Sequence, residues 1–277
     1  MRKSPLNYIG GKHRLLTQML PLFPERIDTF VDLFSGGLDV SLNIQANHIV
    51  CNDINNYVIG LFEYFQQHTI DRILVDVQHT IDEYGLTKQN EDGYYALRKE
   101  YNNTHSSLHL FLLVCFGFNH QFRFNSNGEF NNPFGKNRSS YNANTERNLR
   151  LMHERLHNME FHVGNFRDFN TDFMTDDDFL YADPPYLISC GSYNDGKRGF
   201  DGWTANDDVA LFEKLDELNT RHIHFALSNV IRHKGVENTR LLEWADNYHI
   251  HKLNVSYANS NYQATTSETI EVLITNY

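Results

Sequence analysis

Four residues that follow the apolar run "FLYA" carry the strongest chemical signal: Asp183, Pro184, Pro185 and Tyr186. Each proline fixes its own φ angle and lacks an N–H donor, so the carbonyl of Pro184 projects in a set direction. A carboxylate beside a fixed carbonyl presents two acceptors and no donor, which suits an NH2 group with two hydrogens to give. Tyr186 adds a ring that can stack on the planar group bearing that amine. A plain turn is the alternative, but the strand and the aromatic residue favour a catalytic site.

A glycine turn and a strand-end acid form a second candidate site. The segment "DTFVDLFSGG" predicts a short strand that ends in a turn at Gly36 and Gly37, and "HIVCND" predicts a strand that ends on Asp53. Glycine lets backbone approach a ligand, and an acid at the carboxyl end of a parallel strand suits ribose hydroxyls. The spacing is neither GxGxxG nor GxxxxGK[ST], so neither a dinucleotide nor a triphosphate is indicated. A purely structural turn stays open.

Near the N-terminus, "NYIGGK" combines an aromatic ring, a flexible backbone and an ammonium group. Lys12 can pair with a carboxylate of the protein or of a ligand, and Tyr8 can contribute packing. The alternative is a helix start with Lys12 in solvent. The residues alone leave both interpretations open.

These candidates need a parallel sheet to bring them together. A strand, a turn, helical spacing through "LDVSLNIQA" and a second strand ending on an acid are typical of the start of an α/β sheet. Strand patterns return in "EFHVGNF", "DFLYADPPY" and "HIHFALSN", and the C-terminus predicts a β-hairpin. Residues 57–158 are mostly helical, with an asparagine- and glycine-rich segment too long for an ordinary connection. We therefore expect an α/β domain, 1–56 and 159–277, interrupted by an insertion, 57–158.

Composition narrows the class of protein. The 277 residues are 40% hydrophobic, and no apolar stretch reaches the length of a membrane span. Three cysteines without CxxC spacing fit a reducing cytosol, and the absence of an HExxH pattern argues against a metal site. A net charge of -11 disfavours a general polyanion binder. The window 119–150 is nevertheless locally basic, so a nucleic-acid face there stays open. We expect a cytoplasmic protein without membrane or metal.

Taken together, "NYIGGK", "FVDLFSGG" and "DPPY" resemble the alpha group of DNA adenine methyltransferases that use S-adenosylmethionine. In that group the cofactor motifs come first, a target-recognition insertion follows, and "DPPY" comes last. The stretch Arg123–Gly135, "RFNSNGEFNNPFG", resembles the signature of the Dam family, with its bacteriophage-type members the most similar.

The resemblance implies a Rossmann-like methyltransferase sheet and methyl transfer to the exocyclic amine of an adenine. That adenine would be flipped out of double-stranded DNA within GATC. It also implies a bacterial or phage-encoded enzyme that acts in the cytoplasm as a monomer or weak dimer. A methyltransferase of RNA or a protein amide, and a non-catalytic DNA-binding relative, stay open as rivals.

The resemblance also assigns roles residue by residue. The residues expected to bind the cofactor are Tyr8, Lys12, Asp32, Phe34, Ser35, Gly36, Gly37, Asp53, Asn165, Phe166 and Asp183. The residues expected to contact DNA are Phe118, Asn119, His120, Gln121, Arg123, Asn125, Pro133, Lys136 and Arg138. Asn165 departs from the family, which usually presents an acid near the adenine ring of the cofactor at this position. Tyr193, Lys197 and Arg198 either close over the flipped base or contact phosphate; a surface loop is the equal alternative.

Overall fold

The computed structural model describes residues 1–188, 202–254 and 269–277. Tyr193, Lys197 and Arg198 lie outside the described residues. The strands are β1 (Thr29–Asp32), β2 (His48–Asp53), β3 (Met159–Val163), β4 (Phe179–Ala182), β5 (His224–His233), β6 (Val236–Glu237), β7 (His249–Leu253) and β8 (Ile270–Thr275). The α-helices are α1 (Leu16–Met19), α2 (Asn56–Gln67), α3 (Ile70–Tyr84), α4 (Glu91–Thr104), α5 (Ser107–Phe116), α6 (Ala143–Leu156), α7 (Ala205–Thr220) and α8 (Thr239–Ala245).

A single sheet organises these elements, in the order β3-β2-β1-β4-β5-β8-β7, with the short β6 paired to β5. The pairs from β3 through β5 are parallel, whereas β8 runs antiparallel to both β5 and β7. β4 is buried along its whole length, as its uninterrupted apolar sequence predicts for a strand covered on both faces. The predicted α/β class, the Rossmann-like sheet and the C-terminal hairpin are confirmed.

The order of the strands explains why acids that are far apart in the sequence meet. β1 lies between β2 and β4, so the chain moves to one side of β1 and later returns on the other. Ligands of such sheets bind at the carboxyl ends of the strands where this reversal occurs. Asp32 ends β1, Asp53 ends β2, and Asp183 follows β4 directly. The three carboxylates therefore share one edge of the sheet.

Both faces of the sheet are covered by apolar layers. One layer contains residues of α7 and α8 together with Phe166 and Trp203. The other contains α1, α2 and the helices of the insertion in one continuous core. Since α2 packs against β3 as well as α5 and α6, the core of the sheet runs on into the insertion. The domain boundary at residue 57 stays a prediction.

Two local features differ from expectation. The helical spacing through residues 38–46 does not give a helix: residues 39–43 form turns and residues 44–46 have no regular structure. Leu38 adopts a left-handed φ of 66°, which a regular helix does not accommodate at that residue. The insertion also contains α6, a helix capped by the side chain of Asn142. The sequence interpretation named no helix between the polar segment, residues 119–144, and the end of the insertion. None of the described helices is long and apolar enough to cross a membrane.

Candidate active site

A cavity of about 760 Å³ opens at the carboxyl ends of β1, β2, β3 and β4. Every residue predicted to bind the cofactor or to act in catalysis lines it: Tyr8, Lys12, Asp32, Phe34, Ser35, Gly36, Gly37, Asp53, Asn165, Phe166, Asp183, Pro184, Pro185 and Tyr186. This volume lies in the usual range for pockets that enclose a drug-sized ligand. The structure thus gathers residues from five separate segments of the sequence around one space.

Asp183 is held from two sides. The ammonium of Lys12 lies 2.7 Å from Oδ2, and the hydroxyl of Tyr186 donates a hydrogen bond to Oδ1 at 2.9 Å. Lys12 is only 6% exposed, also donates to the carbonyl of Gly10 at 2.9 Å, and lies 5.1 Å from the centre of the Tyr186 ring. Burial, together with the charge of Asp183, raises the pKa of Tyr186, so its hydroxyl stays a donor at neutral pH. Of the alternatives for Lys12, the structure selects pairing with a protein carboxylate.

Asp53 is oriented by backbone N–H groups. Gly36 N–H donates to Oδ2 and Asn55 N–H donates to Oδ1, both at 2.8 Å. The neighbouring amide of Asn52 donates to the carbonyls of Leu33 and Gly164, which ties together the ends of three strands. Because each carboxylate oxygen has two acceptor sites, Asp53 can accept further hydrogen bonds from a diol.

Asp32 lines the cavity and is 2% exposed. Burial raises the pKa of its carboxyl to about 7; the hydrogen bond that Ser41 donates at 2.5 Å opposes this shift, while the negative charges of Asp183 and Asp53 add to it. Among the described residues, neither Oδ1 of Asp32 nor the hydroxyl of Ser35 has a hydrogen-bond partner, although both are buried. Unpartnered polar atoms on the wall of a cavity are suited to a polar, cationic ligand. The lining therefore fits S-adenosylmethionine.

The glycine turn serves a purpose that the sequence did not indicate. A Cβ at Gly37 would lie 2.9 Å from the Cβ of Tyr8, and one at Gly36 would lie 3.0 Å from its ring. Gly36 also has a positive φ of 45°. Tyr8 thus fills the space that glycine leaves open, and its hydroxyl accepts a hydrogen bond from Asn55 at 3.3 Å. The two glycines therefore allow the N-terminal segment "NYIGGK" to pack against the turn that follows β1.

Three aromatic residues of the cavity lining contact one another, and we call them the aromatic wall: Phe34, Phe166 and Trp203. Their ring centres are 5.3–5.7 Å apart. Sequence reasoning missed Trp203, because the segment "GWTAND" matches no cofactor motif. Nearby, the side-chain oxygen of Asn165 accepts from the N–H of Arg167 at 3.0 Å. Its NH2 group is therefore the donor that Asn165 can offer to a ring nitrogen.

The residues predicted to contact DNA lie on a loop of residues 118–138, which we call the recognition loop. Isolated β-bridges connect Gly117 to Phe134 and Phe124 to Phe130. The ring of Phe124 stacks on that of Tyr57, with the ring centres 4.1 Å apart. The exposed members of the predicted set are Phe118, Asn119, Arg123, Pro133, Lys136 and Arg138; His120, Gln121 and Asn125 are half-buried.

Two of the half-buried side chains have structural partners. The oxygen of Asn125 accepts from two N–H groups of its own turn, and His120 contacts the carbonyl of Val114 at 3.2 Å. Their contact with DNA stays a prediction, as it does for the exposed residues. The two hydrogen bonds that Asn125 accepts within its turn give this residue a structural role that needs no DNA contact.

The recognition loop contacts the first cofactor motif directly. Asn7 donates to the carbonyl of Asn119 at 3.3 Å, and the rings of Tyr8 and Phe122 are 5.7 Å apart. Tyr8 therefore joins the glycine turn, the cavity wall and the recognition loop. Within the described part of the chain, no group of three or more acidic, cysteine or histidine side chains is arranged to hold a metal ion.

A mostly parallel sheet with a glycine turn, two strand-end acids and a proline-rigid acid around one cavity is the architecture of Rossmann-like methyltransferases. Comparison with known families gives the finer assignment. The chain belongs to the D12 class N6 adenine-specific DNA methyltransferase family, whose model matches residues 8–259. S-adenosylmethionine is the methyl donor of this family. The predicted family and cofactor are confirmed.

Among curated relatives, the chain is 50% identical over 277 residues to the type II methyltransferase M.FokI of Planomicrobium okeanokoites. It is 46% identical over 279 residues to the modification methylase StsI of Streptococcus sanguinis. Each match covers 99% of this chain but only 43% of the relative. The DNA adenine methylase of Escherichia coli K12 is 27% identical over 273 residues, covering 97% of this chain and 93% of the relative. The identity is thus higher to these two modification methylases than to that Dam protein.

Proposed function

We propose that this chain transfers a methyl group from S-adenosylmethionine to the exocyclic amine of an adenine in double-stranded DNA, with the adenine flipped out of the helix. The observation that carries the proposal is the Asp183 carboxylate, held by Lys12 at 2.7 Å and by Tyr186 at 2.9 Å on the wall of the cavity. GATC is the target sequence implied by the resemblance to the Dam family. Two relatives that are more similar to this chain than the Dam protein are a type II methyltransferase and a modification methylase. We therefore propose that this chain also acts as a modification methylase.

The acceptor chemistry follows from the electronic structure of adenine. The lone pair of its exocyclic amine is delocalised into the ring, which makes the amine a poor nucleophile. Asp183 and the carbonyl of Pro184 can each accept one of the two amine hydrogens. Two such hydrogen bonds favour a pyramidal nitrogen with a localised lone pair, and Asp183 is also a base for the proton that the nitrogen loses. Tyr186 presents a ring on which the flipped base stacks.

Lys12 gives Asp183 a fixed position. The side chain of a surface aspartate rotates freely, whereas this one is fixed by an ion pair with a buried ammonium and by a hydroxyl donor. A prearranged acceptor costs no reorganisation when the amine arrives, so positioning and electrostatics can supply most of the acceleration. No covalent enzyme intermediate is required.

The methyl donor would occupy the remainder of the cavity. Asp53 would hold the ribose hydroxyls, while Asp32 and Ser35 would face the charged methionine end with their unpartnered buried atoms. When bound, S-adenosylmethionine supplies an electrophilic methyl group on a positively charged sulfur. Transfer to the amine would form a C–N bond at the expense of the bond between the methyl group and sulfur, the electron pair would stay on sulfur, and Asp183 would accept the proton that the amine loses.

Base flipping follows from the position of the reacting group. The exocyclic amine of adenine is paired inside duplex DNA, so an enzyme that acts on it must take the base out of the stack. We propose the recognition loop for reading flanking bases. Its Arg123 is exposed and follows Phe122, whose ring contacts that of Tyr8, and Arg is suited to bidentate contact with guanine.

The test is to supply methyl-labelled S-adenosylmethionine with random duplex DNA, RNA and protein, and to map the modified bases. We expect label in adenines of duplex DNA only, lost in Asp183→Asn and retained in Asp246→Asn, a matched change on the exposed surface. Label in RNA or protein would establish the rival substrates, and failure to bind S-adenosylmethionine would establish a non-catalytic relative. Methylation at a motif other than GATC would overturn the target sequence alone.

A further inference from the structure

Trp203 is a large aromatic residue on the cavity wall that no sequence motif assigns. It comes just before α7 and is 8% exposed, with its ring centre 5.7 Å from that of Phe34 and 5.3 Å from that of Phe166. Phe34 follows β1 and Phe166 follows β3. The three rings therefore come from three separate segments and meet only in the folded chain.

The indole of Trp203 is fixed in orientation. Its N–H donates to the carboxylate of Asp208 at 2.6 Å, and Asp208 is 1% exposed. The intervening Thr204 and Asp207 form a capping box at the start of α7. A wall that is already rigid loses little conformational entropy when a ligand binds.

A second set of contacts ties Trp203 to Phe166. Arg167 pairs with the carboxylate of Asp207 at 2.9 Å, and its guanidinium lies 5.3 Å from the centre of the Phe166 ring. The segment after β3 and the segment before α7 are thus linked on the rim of the cavity. This link joins the segment that carries Phe166 to the segment that carries Trp203.

The order of the strands indicates which part of a methyl donor meets this wall. Along the edge of the sheet, Phe166 follows β3, Asp53 ends β2, and Asp183 follows β4 on the far side of β1. If Asp53 holds the ribose and the methyl group is delivered beside Asp183, the base must lie on the β3 side of the ribose. That is the side of Phe166, and of Trp203 with it.

We infer that Trp203 is a cofactor-binding residue, whose indole forms with Phe34 and Phe166 the wall that receives the adenine ring of S-adenosylmethionine. The inference rests on the proposed function in taking S-adenosylmethionine as the ligand, with its ribose at Asp53 and its methyl group beside Asp183. A flat π surface is the chemistry that recognises a purine face. Charged groups recognise the other end of the molecule, so adenosine and methionine should differ in their effect on Trp203.

The chain contains two tryptophans, which makes the inference directly measurable. Trp244 stacks on Phe212 at 4.4 Å, and its N–H donates to Asp216, so it lies on α8 outside the cavity lining. Tryptophan emission of Trp244→Phe therefore reports Trp203 alone, and that of Trp203→Phe reports Trp244 alone. S-adenosylhomocysteine, adenosine and methionine serve as probes without DNA.

We expect S-adenosylhomocysteine and adenosine to change the emission of the wild type and of Trp244→Phe, and methionine to leave both unchanged. Trp203→Phe should show no ligand-dependent change and should bind S-adenosylhomocysteine roughly two- to tenfold more weakly by calorimetry, since it loses part of one aromatic contact.

Two results would overturn the inference. One is that Trp244→Phe binds S-adenosylhomocysteine by calorimetry but shows no change in tryptophan emission. This result does not depend on whether the Trp203→Phe variant folds. The other is a full emission response to methionine alone. By contrast, if the wild type fails to bind S-adenosylhomocysteine by calorimetry, the proposed function fails first. The two failures are therefore distinguishable.

Discussion

Replacement of Asp32 by asparagine should stabilise the ligand-free protein, and more so at higher pH. Asp32 is 2% exposed, and burial raises the pKa of its carboxyl from 3.8 to about 7. The hydrogen bond from Ser41 opposes this shift, whereas the charges of Asp183 and Asp53 add to it. The folded protein therefore holds a proton that the unfolded chain releases. An asparagine keeps the shape and an acceptor for Ser41 but has no proton to lose.

The size of the effect follows from linkage. Between pH 3.8 and about 7 the folded state binds more protons at this site than the unfolded state, so stability falls as pH rises and levels off above that window. Three pH units correspond to on the order of 4 kcal/mol at 1.36 kcal/mol per unit. From about pH 5.5 to about pH 8, the stability advantage of Asp32→Asn should grow by roughly 2 kcal/mol.

Urea unfolding of both proteins at these two pH values, without ligand, measures the difference directly. Comparing the change with pH removes any constant effect of the substitution itself. The exposed Asp246→Asn is the matched control, and we expect its stability relative to the wild type to be the same at both pH values. An equal gap for Asp32→Asn at both pH values would refute the reasoning, because it would mean that the buried carboxyl loses its proton in the folded state as readily as in the unfolded chain.

Three other predictions concern the site and the recognition loop. Asp183→Ala should lower single-turnover methyl transfer by about 10²-fold or more while calorimetry still detects S-adenosylhomocysteine, and near-normal turnover would remove Asp183 from its proposed role. Tyr8 contacts both the glycine turn and Phe122. A double-mutant cycle with Tyr8→Leu and Phe122→Leu should therefore show a coupling of about 0.5–1.5 kcal/mol in DNA affinity. Additive effects of the two substitutions would argue against a link between the cavity and the recognition loop. Arg123→Lys should relax base preference at one position of the target by about 1–3 kcal/mol in mapped methylation profiles, and an unchanged profile would assign it to phosphate contact or to none.

Much of the fold was predictable because its signals are local. Uninterrupted apolar runs indicate strands buried on both faces, and they end on acids or glycines where the chain leaves the sheet. The β-hairpin followed from two alternating segments at the C-terminus, which pair as β7 and β8. The turns at residues 39–43 were missed because their spacing of apolar residues is that of a helix, and the left-handed φ of Leu38 before them has no signature such as a glycine.

The cavity was predictable only in part. That Asp53 and Asp183 share an edge follows from parallel topology, which a pattern of alternating strands and helices already indicates. That Lys12 pairs with Asp183, and that Gly36 and Gly37 leave space for Tyr8, depends on how the N-terminal segment packs against the sheet. Such contacts join residues far apart in the sequence, and no periodicity records them.

By itself, the sequence determined the class of chemistry in this protein: two rigid acceptors after a strand, an acid for a ribose, and an insertion rich in aromatic and basic residues. Those properties belong to residue types and short spacings, so they survive without coordinates. The tertiary structure alone decided that Trp203 joins the cavity and that Asp32 holds a proton near neutral pH. Burial and the distances between charges are properties of the packed chain, because they depend on which segments exclude water from one another.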